Sequence, residues 1–296
     1  MDNLNQIRIF DAVAQTRNFT RAAAVVHLTQ PGISKHIRQL EEYFGVALFD
    51  RLGKKIALTQ AGEILFEASQ KIMTSIAEAE QRIDELKGLH GGKLAVGTSF
   101  ALGNYVLPGI LAAFGKRYPS IEVTLELAVS EKIVEKVLAN KLDLGLVNHV
   151  SHDARLIIKE FATDELVVIV PSGHRWATKK RIRPEDLPRE TLIVAARGAG
   201  IRAVVEERLK VLGITLEKVV DFGNIEGVKR AVEAGLGVSI QSKSMVQREI
   251  SAGSLAGIRL TGMDATIGSY YLYRKDKHLS NATKAFLSIL QSEQTK

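Results

Sequence analysis

The chain has 296 residues, which is enough for two or three domains that each bury an apolar core. It contains no cysteine, so disulfides, thiolate metal sites and cysteine nucleophiles are excluded. No apolar run approaches the roughly 18 residues that a membrane-spanning helix needs, and we expect a cytoplasmic protein. The formal net charge is +7, and residues 17–58 contain seven basic side chains and only three acidic ones. This local basic patch is typical of contact with nucleic-acid phosphates.

An opening helix is predicted over residues 3–15 from the helical spacing of its apolar side chains. The residues expected to face inward are Leu4, Ile7, Phe10 and Ala14. Between Phe19 and Phe44 the sequence predicts two short helices separated by a tight turn. In the second of them, apolar residues recur at spacings of four, three and four and should pack inward: Ile33, Ile37, Leu40 and Phe44.

Local signals at the helix ends support a helix-turn-helix. Thr20 is expected to cap the first short helix and Thr29 the second, whose first turn contains Pro31. Gly45 should end the second helix, and residues 49–56 then predict a hairpin with a basic tip. An ordinary helical hairpin with a solvated basic face is the alternative, but the caps, the turn spacing and the basic wing agree on a winged helix-turn-helix.

The polar face of the second short helix suits the DNA major groove, because its side chains can hydrogen-bond base edges and phosphates. The residues predicted to read bases are Gln30, Pro31, Ser34 and Lys35. The residues predicted to hold phosphate are Thr20, Arg21, Thr29, Arg38, Arg51, Lys54 and Lys55.

A long helix is predicted from a cap at Thr59 to about Leu89, followed by a hinge at residues 90–92. A narrow apolar seam runs along it: Leu65, Ala68, Ile72, Ile76, Ala79, Ile83 and Leu86. Because nothing nearby in the sequence would cover this seam, we expect it to pack on the same helix of a second subunit. A dimer would also place two recognition helices on a palindromic site. The alternative is a surface helix folded onto its own chain.

The rest of the chain alternates strands and helices, which predicts parallel sheets flanked by helices. A first series has strands at 94–97, 123–127 and 144–147, with helices near 102–118 and 131–140. A second series has strands at 165–170, 192–195, 219–222 and 238–240, with helices near 202–212 and 226–235. Two such series indicate two lobes.

Polar residues that follow these strands are candidates for binding a small molecule, since ligands of open α/β sheets sit at the carboxyl ends of strands. The predicted effector-binding residues are Thr98, Ser99, Ser130, Asn148, Gly200, Ile201, Arg202 and Asn224. Each hydroxyl or amide among them could instead be a routine helix cap. Arg202, a lone cation at a helix start, opposes the helix dipole and therefore favours an anionic ligand.

Other chemistry is weakly indicated. Gly198–Ala203, with Asp221 roughly 20 residues on, has the outline of a dinucleotide-binding fingerprint, which would mean a nicotinamide-sensing regulator or an NAD-linked oxidoreductase. Against it, the preceding strand is not the first of its sheet, and Arg202 would lie near the pyrophosphate. His149 and His152 with Asp153 nearby suggest a metal site only weakly, because the loop lacks a further ligand at dependable spacing. A solute-binding protein fused to a helical adaptor is a further alternative, and we do not expect an enzyme.

The stretch RAAAVVHLTQPGISKHIRQLEEYFGVALFDR, followed by LTQAG, resembles LysR-type transcriptional regulators. Weaker motifs occur later in the family's order: GGKLAVG, FGKRYPSIEV, NKLDLGLV, RGAGIR and KRAVEAGLGV. Departures lie at Ala128, where the family often has glycine, and at Gln241-Ser242, which replaces an apolar-proline pair.

The resemblance implies a multidomain protein. An all-α winged helix-turn-helix is expected at 1–58, a linker and dimerisation helix with its hinge at 59–91, and then a two-lobed, periplasmic-binding-protein-like α/β effector domain. Lobe I is expected at 92–161 and 267–296, because the chain crosses back, and lobe II at 162–266. The expected partners are double-stranded promoter DNA, a small anionic metabolite and further copies of the chain in a homodimer or homotetramer, with RNA polymerase as an additional candidate. No cofactor and no membrane contact are expected.

Overall fold

The computed structural model describes residues 3–52, 55–86 and 92–292. The chain forms two compact units, Met1–Ile83 and Asp84–Lys296. The first unit contains α1 (Asn3–Thr16), α2 (Phe19–Val25), α3 (Gln30–Phe44), β1 (Phe49–Leu52), β2 (Lys55–Leu58) and most of α4 (Gln60–Leu86). Strands β1 and β2 pair antiparallel, as the predicted hairpin requires.

One apolar core holds the first unit together. Its largest fully buried side chains come from α1, α3 and the residue before β1: Ile9, Phe10, Ile33, Ile37 and Leu48. The rings of Phe10 and Phe49 lie 5.2 Å apart, which ties the hairpin to α1. The small residues Ala22 and Ala23 of α2 are buried in the same core and allow the helices to cross closely.

Two of the residues predicted to face this core do not. Leu4 is 48% exposed and Phe44 is 46% exposed. Both lie in end turns, Leu4 in the first turn of α1 and Phe44 in the last turn of α3, and neither belongs to the core cluster. The spacing rule finds the buried face of a helix but not where its neighbours stop covering it.

The second unit alternates strands and helices. Its elements are β3 (Gly92–Ser99), α5 (Phe100–Tyr105), α6 (Leu107–Arg117), β4 (Ile121–Ala128), α7 (Ser130–Leu138), β5 (Leu144–Val147), β6 (Leu156–Pro171), β7 (Arg181–Ile182), a short 3-10 helix (Pro184–Arg189), β8 (Thr191–Val194), α8 (Gly200–Val211), β9 (Lys218–Asp221), α9 (Ile225–Glu233), β10 (Ser239–Ser242), α10 (Lys243–Ala252), β11 (Leu255–Leu260), β12 (Thr266–Arg274) and α11 (Asn281–Ser292).

The first lobe is built on the strand order β4-β3-β5-β12-β6. Strand β3 pairs parallel with β4 and β5, whereas β12 pairs antiparallel with β5 and β6. Apolar residues of α6 and α11 cover one face of this sheet, with Phe114 and Phe286 in edge-to-face contact. Residues of α7 cover the other face, where Ile133 and Val137 pack on Leu272.

The second lobe uses the far half of the same long strand. Residues 156–165 of β6 pair with β12, and residues 166–171 pair antiparallel with β10 and β11. Strands β8 and β9 pair parallel, and Leu192 of β8 bridges to Val238. Helix α8 packs on one side of this lobe, and α9 and α10 pack on the other.

Several element predictions need correction. The helix predicted near 102–118 is two helices, α5 and α6, because Pro108 lacks the N–H that would continue the first one. The strand predicted at 165–170 is the second part of the 16-residue β6, whose first part has too many charged residues to show a clear alternation. Strands β7 and β11 and helix α10 had not been predicted. The domain bounds inferred from the resemblance stay a prediction.

Candidate functional site

Helix α3 presents a polar face opposite its buried stripe. Ile33, Ile37 and Leu40 are buried, while Gln30, Pro31 and Lys35 are exposed. Gln30 Nε2 donates to Ser34 Oγ at 3.0 Å, so the two predicted base-reading side chains lie side by side one helical turn apart. An amide and hydroxyl pair of this kind can present donors and acceptors to base edges.

Three cations surround this face. Arg21, Lys35 and Arg38 are exposed, and none of these three described side chains has an ion-pair partner in the structure. Unpaired surface cations beside a helix that carries hydrogen-bonding groups are suited to phosphate contact.

The N-termini of the two short helices are capped, but not entirely as predicted. Thr29 caps α3, since its Oγ1 accepts a hydrogen bond from Gly32 N at 3.3 Å. The prediction that Thr20 caps α2 is wrong, because Asn18 Oδ1 accepts from the backbone N–H groups of Thr20 and Arg21 at 2.9 and 3.0 Å. Asparagine is a more favourable cap than threonine, and Thr20 instead lies exposed in the first turn of α2.

The hairpin is fixed to α3 at its base. Glu41 Oε1 accepts hydrogen bonds from the backbone of Leu48 at 2.8 Å and Phe49 at 3.4 Å, just where β1 begins. Arg51 lies in β1 opposite Ile56, and Lys55 lies in β2 opposite Leu52. Lys54, the predicted cation of the tip, lies outside the described residues.

Helix α4 begins as predicted, with Thr59 Oγ1 accepting from Gly62 N at 3.0 Å. It is described to Leu86, and the predicted hinge at His90 and Gly91 lies outside the described residues. Along the predicted seam, Leu65, Ala68, Ile72 and Ile76 are half-buried, and Ala79 and Ile83 are exposed.

The second unit contains a cavity of about 140 Å³ between its two lobes. Most of its wall is apolar and comes from both lobes: Ala101, Ala128, Val194, Ile201, Val205 and Leu216. Its polar lining includes Ser99, Asn224, Ser239 and Gln241. We call this cavity the cleft.

Five of the eight predicted effector-binding residues line the cleft: Ser99, Gly200, Ile201, Arg202 and Asn224. Thr98, Ser130 and Asn148 are buried and do not line it. Asn224 also caps α9, since its Oδ1 accepts from Gly227 N at 2.9 Å. Ser239 and Gln241 line the cleft but had not been predicted, because they lie within a strand rather than after one.

Arg202 is not a lone cation. Its guanidinium donates to Glu206 at 2.7 Å, to Asp221 at 2.8 Å and to the Ala195 carbonyl oxygen at 2.7 Å. Burial acts to lower the pKa of Arg202, but the bonds to Glu206 and Asp221 outweigh it and raise that pKa. The pKa of Asp221 is lowered by the backbone N–H of Gly223 and by Arg202. The positive charge is therefore balanced within the protein.

The same ion pair argues against a dinucleotide site. In the fingerprint, the acidic residue has to accept hydrogen bonds from a ribose, yet the carboxylate of Asp221 already accepts from Arg202 and Gly223. A metal site is not formed either: in the described part of the chain, no three His, Cys, Asp or Glu side chains converge. Asp153 is bound by Arg155, whose hydrogen bonds lower its pKa to about 2.

Comparison with known proteins decides the family. Residues 4–63 match the model described as the bacterial regulatory helix-turn-helix protein of the lysR family, and residues 87–295 match the LysR substrate binding domain. The chain is also 34% identical over 291 residues to the RuBisCO operon transcriptional regulator of Allochromatium vinosum, covering 98% of this chain and 96% of that one. This chain belongs to the LysR family of transcriptional regulators.

Solved structures of the family share the fold. A full-length OxyR variant from Pseudomonas aeruginosa matches with a TM-score of 0.74 and 23% identity, covering 98% of this chain and 94% of that one. Full-length CbnR complexed with its target DNA matches with a TM-score of 0.65 and 23% identity, covering 98% and 99%. This LysR-type chain is thus a DNA-binding regulator with a helix-turn-helix and a two-lobed α/β domain, and not an enzyme. None of its described helices has both the length and the apolar character that a membrane crossing needs.

Proposed function

We propose that this LysR-type regulator acts in the cytoplasm and binds double-stranded promoter DNA through α3 and the wing. A small effector in the cleft would change that binding. The observation that carries the proposal is the α3 face, where the Gln30–Ser34 pair stands beside the unpaired cations Lys35 and Arg38. The opposite side of the helix is buried, so the face is held in one orientation.

Two features support a small effector with an apolar body and one anionic group. The wall of the cleft is mostly apolar, which suits the body of such a ligand. The first turn of α8 borders the cleft and has no side-chain cap, so its backbone N–H groups are available to an anion. Because the charge of Arg202 is balanced, the anion would be held by these N–H groups. An effector that binds one lobe arrangement better than another would shift the population toward it. No resident cofactor is part of this proposal.

A homodimer through α4 is part of the same proposal. The exposed side chains of Ala79 and Ile83 continue the half-buried seam of Ile72 and Ile76 toward the end of the helix. A second copy of α4 would cover this stripe and place two α3 helices on one palindromic site. We also propose that the dimers assemble into a tetramer and that the protein contacts RNA polymerase.

The DNA-binding step is tested by fluorescence anisotropy on a specific and a random duplex over a range of salt concentrations. The relative from Allochromatium vinosum is named for the RuBisCO operon, so a promoter of that kind is the first specific duplex to use. Gln30→Ala should weaken specific binding by about 1–3 kcal/mol and leave random binding nearly unchanged. Arg38→Ala should weaken both and reduce the salt slope by about 1 per subunit.

Lys71→Ala is the matched control, because it removes an exposed cation from α4 rather than from the α3 face. Its affinity for both duplexes should stay near that of the wild type. If Gln30→Ala and Arg38→Ala change specific and random binding by equal amounts, the assignment of base and phosphate contacts is wrong.

The effector step is tested by mass spectrometry of the small molecules that the purified protein retains. Ala128→Trp places an indole in the cleft and should abolish retention, whereas Ala112→Trp, at an exposed position of α6, should not. Equal retention by both variants would contradict binding in the cleft.

A further inference from the structure

A second cavity of about 340 Å³ lies in the α/β unit, apart from the cleft. Its wall combines His149 and His152, from the loop after β5, with Tyr270 of β12 and Arg208 of α8. The β5 loop and β12 belong to the first lobe and α8 to the second, so this cavity also spans the two lobes. We call it the second cavity.

Helix α8 separates the two cavities. Ile201, Arg202 and Val205 line the cleft, while Val204 and Arg208 line the second cavity. At about 100° per residue, the two sets are centred roughly 90° apart around the helix axis, so they form adjacent faces of α8. A ligand in the second cavity would therefore contact the side of α8 that a cleft ligand does not reach.

The second cavity has an excess of free hydrogen-bond donors. Within the described part of the chain, neither imidazole of His149 and His152 nor the Tyr270 hydroxyl has a hydrogen-bond partner. Arg208 donates to Asp264 at 2.6 Å and to the Thr266 carbonyl oxygen, which leaves three of its five N–H groups unused.

The neighbouring carboxylates occupy only one of these donors, an N–H of Arg208. Asp264 accepts from Arg208 and from Thr266 Oγ1 at 2.7 Å. Asp153 accepts two hydrogen bonds from the Arg155 side chain at 3.0 and 2.7 Å. Free imidazole, phenol and guanidinium donors around one space are the chemistry that recognises an oxyanion. The remaining wall includes the aliphatic side chains of Ile158 and Val204, which suit a short hydrocarbon group.

We propose that the second cavity is a binding site for a small oxyanion, a carboxylate or a phosphate, with a short apolar body. Arg208, His149, His152 and Tyr270 hold its oxygens. The site is separate from the cleft, and its occupant fixes the β5 loop against α8. Only this last consequence, control of lobe arrangement, rests on the proposed function.

Asn148 links the second cavity to a residue of the cleft. It lines the second cavity, and its Oδ1 accepts a hydrogen bond at 3.2 Å from Ser99 Oγ, which lines the cleft. Its Nδ2 donates to Ser269 Oγ at 3.1 Å. A Cβ at Gly200 would lie 2.9 Å from the Asn148 Cβ, so the start of α8 packs directly on this residue. A ligand in either cavity therefore lies close to a residue that packs on, or belongs to, α8.

Isothermal titration of the full chain with inorganic phosphate and, separately, with propionate tests the site at constant ionic strength. We expect saturable binding of at least one probe, and the preferred probe distinguishes a phosphate site from a carboxylate site. Tyr270→Phe and His152→Ala should each weaken it about fivefold or more, since each removes a hydrogen bond to a charged group. Tyr273→Phe, on the same strand but outside the cavity, should bind as the wild type does.

Ala128→Trp separates this site from the proposed effector site, because it fills the cleft and should leave probe binding unchanged. Hydrogen exchange of the α8 amides should slow with the probe in the wild type but not in His152→Ala. The proposal is overturned if neither probe binds saturably, if Tyr270→Phe and His152→Ala bind as well as the wild type, or if Ala128→Trp abolishes binding. None of these measurements uses DNA, so they are independent of the DNA-binding proposal.

Discussion

Lys229 of α9 is a buried cation whose removal should destabilise the α/β unit. Its side chain is 5% exposed, and its Nζ lies 2.8 Å from both Glu226 and Glu249. The ammonium group also lies 5.1 Å from the centre of the Tyr105 ring, on α5 of the first lobe. Tyr105 in turn donates to Glu226, so the cluster connects the two lobes.

The charge state of the cluster sets the size of the effect. Burial alone would lower the pKa of Lys229, but its hydrogen bonds to Glu226, Glu249 and Tyr105 outweigh burial and raise that pKa. A raised pKa means that Lys229 stabilises the fold fully at neutral pH and loses this contribution only as pH rises through the folded-state pKa. Lys229→Met keeps the volume but leaves Glu249, whose side chain is 16% exposed, without a counter-ion. Removing one partner of a buried pair costs about 3–5 kcal/mol.

Differential scanning calorimetry measures this cost. For a unit of roughly 210 residues, 3–5 kcal/mol corresponds to a fall in Tm of roughly 6–20 °C. The double variant Lys229→Met with Glu249→Met should recover most of the loss, because replacing a buried pair by apolar side chains is nearly neutral. Lys132→Met is the matched control, since its side chain is 56% exposed and that of its partner Glu135 is 62% exposed. If Lys229→Met lowers Tm no more than Lys132→Met, the reasoning is refuted.

Three further predictions concern the same unit. Gly237→Ala should lower the free energy of unfolding in urea by about 2–3 kcal/mol, because the new Cβ would lie 2.2 Å from the Thr191 carbonyl oxygen. Gly115→Ala, with open space around it, should leave that free energy unchanged or raise it. Equal urea midpoints for the two variants would contradict the close approach at Gly237. Arg202→Leu should lower Tm and speed hydrogen exchange at the start of α8, because Asp221 and the Ala195 carbonyl oxygen lose their donor. Unchanged hydrogen exchange would show that the ion pairs of Arg202 do not stabilise the start of this helix. The Tm should fall as pH drops from about 4 to about 2. Carboxylates whose pKa is lowered in the folded state stabilise the fold above their ordinary pKa, and this stabilisation is lost as they protonate. A Tm that does not change over this pH range would contradict the prediction. These carboxylates are Asp153, Glu165, Asp221, Glu226, Glu233, Asp264 and Asp276.

The DNA-binding unit could be predicted in most respects because its signals are local. The Thr29 cap, the buried stripe up to Leu40 and the left-handed Gly45 at the end of α3 all follow from neighbouring residues. The wrong cap at Thr20 is an error of two positions between two residues that both cap helices, of which asparagine is the more favourable.

The α/β unit was harder to predict where contacts between residues far apart in the sequence determine the structure. Nothing near Arg202 in the sequence shows that Asp221, 19 residues away, balances its charge. The second half of β6 had been found, but its first half pairs with β12 about 100 residues later, and only that partner makes it a strand. Ser239 and Gln241 reach the cleft through the position of β10 in the sheet, which no local pattern indicates.

Strand β12 has a consequence for how the chain matures during synthesis. It inserts between β5 and β6, so the sheet of the first lobe stays split until residues 266–274 have left the ribosome. Up to that point, the nascent chain presents two open strand edges, at Leu146 and at Ile158. Such edges invite pairing with other chains, and a premature stop before residue 266 would leave them permanently unfilled. The second lobe, by contrast, has all of its own strands before β12 is made.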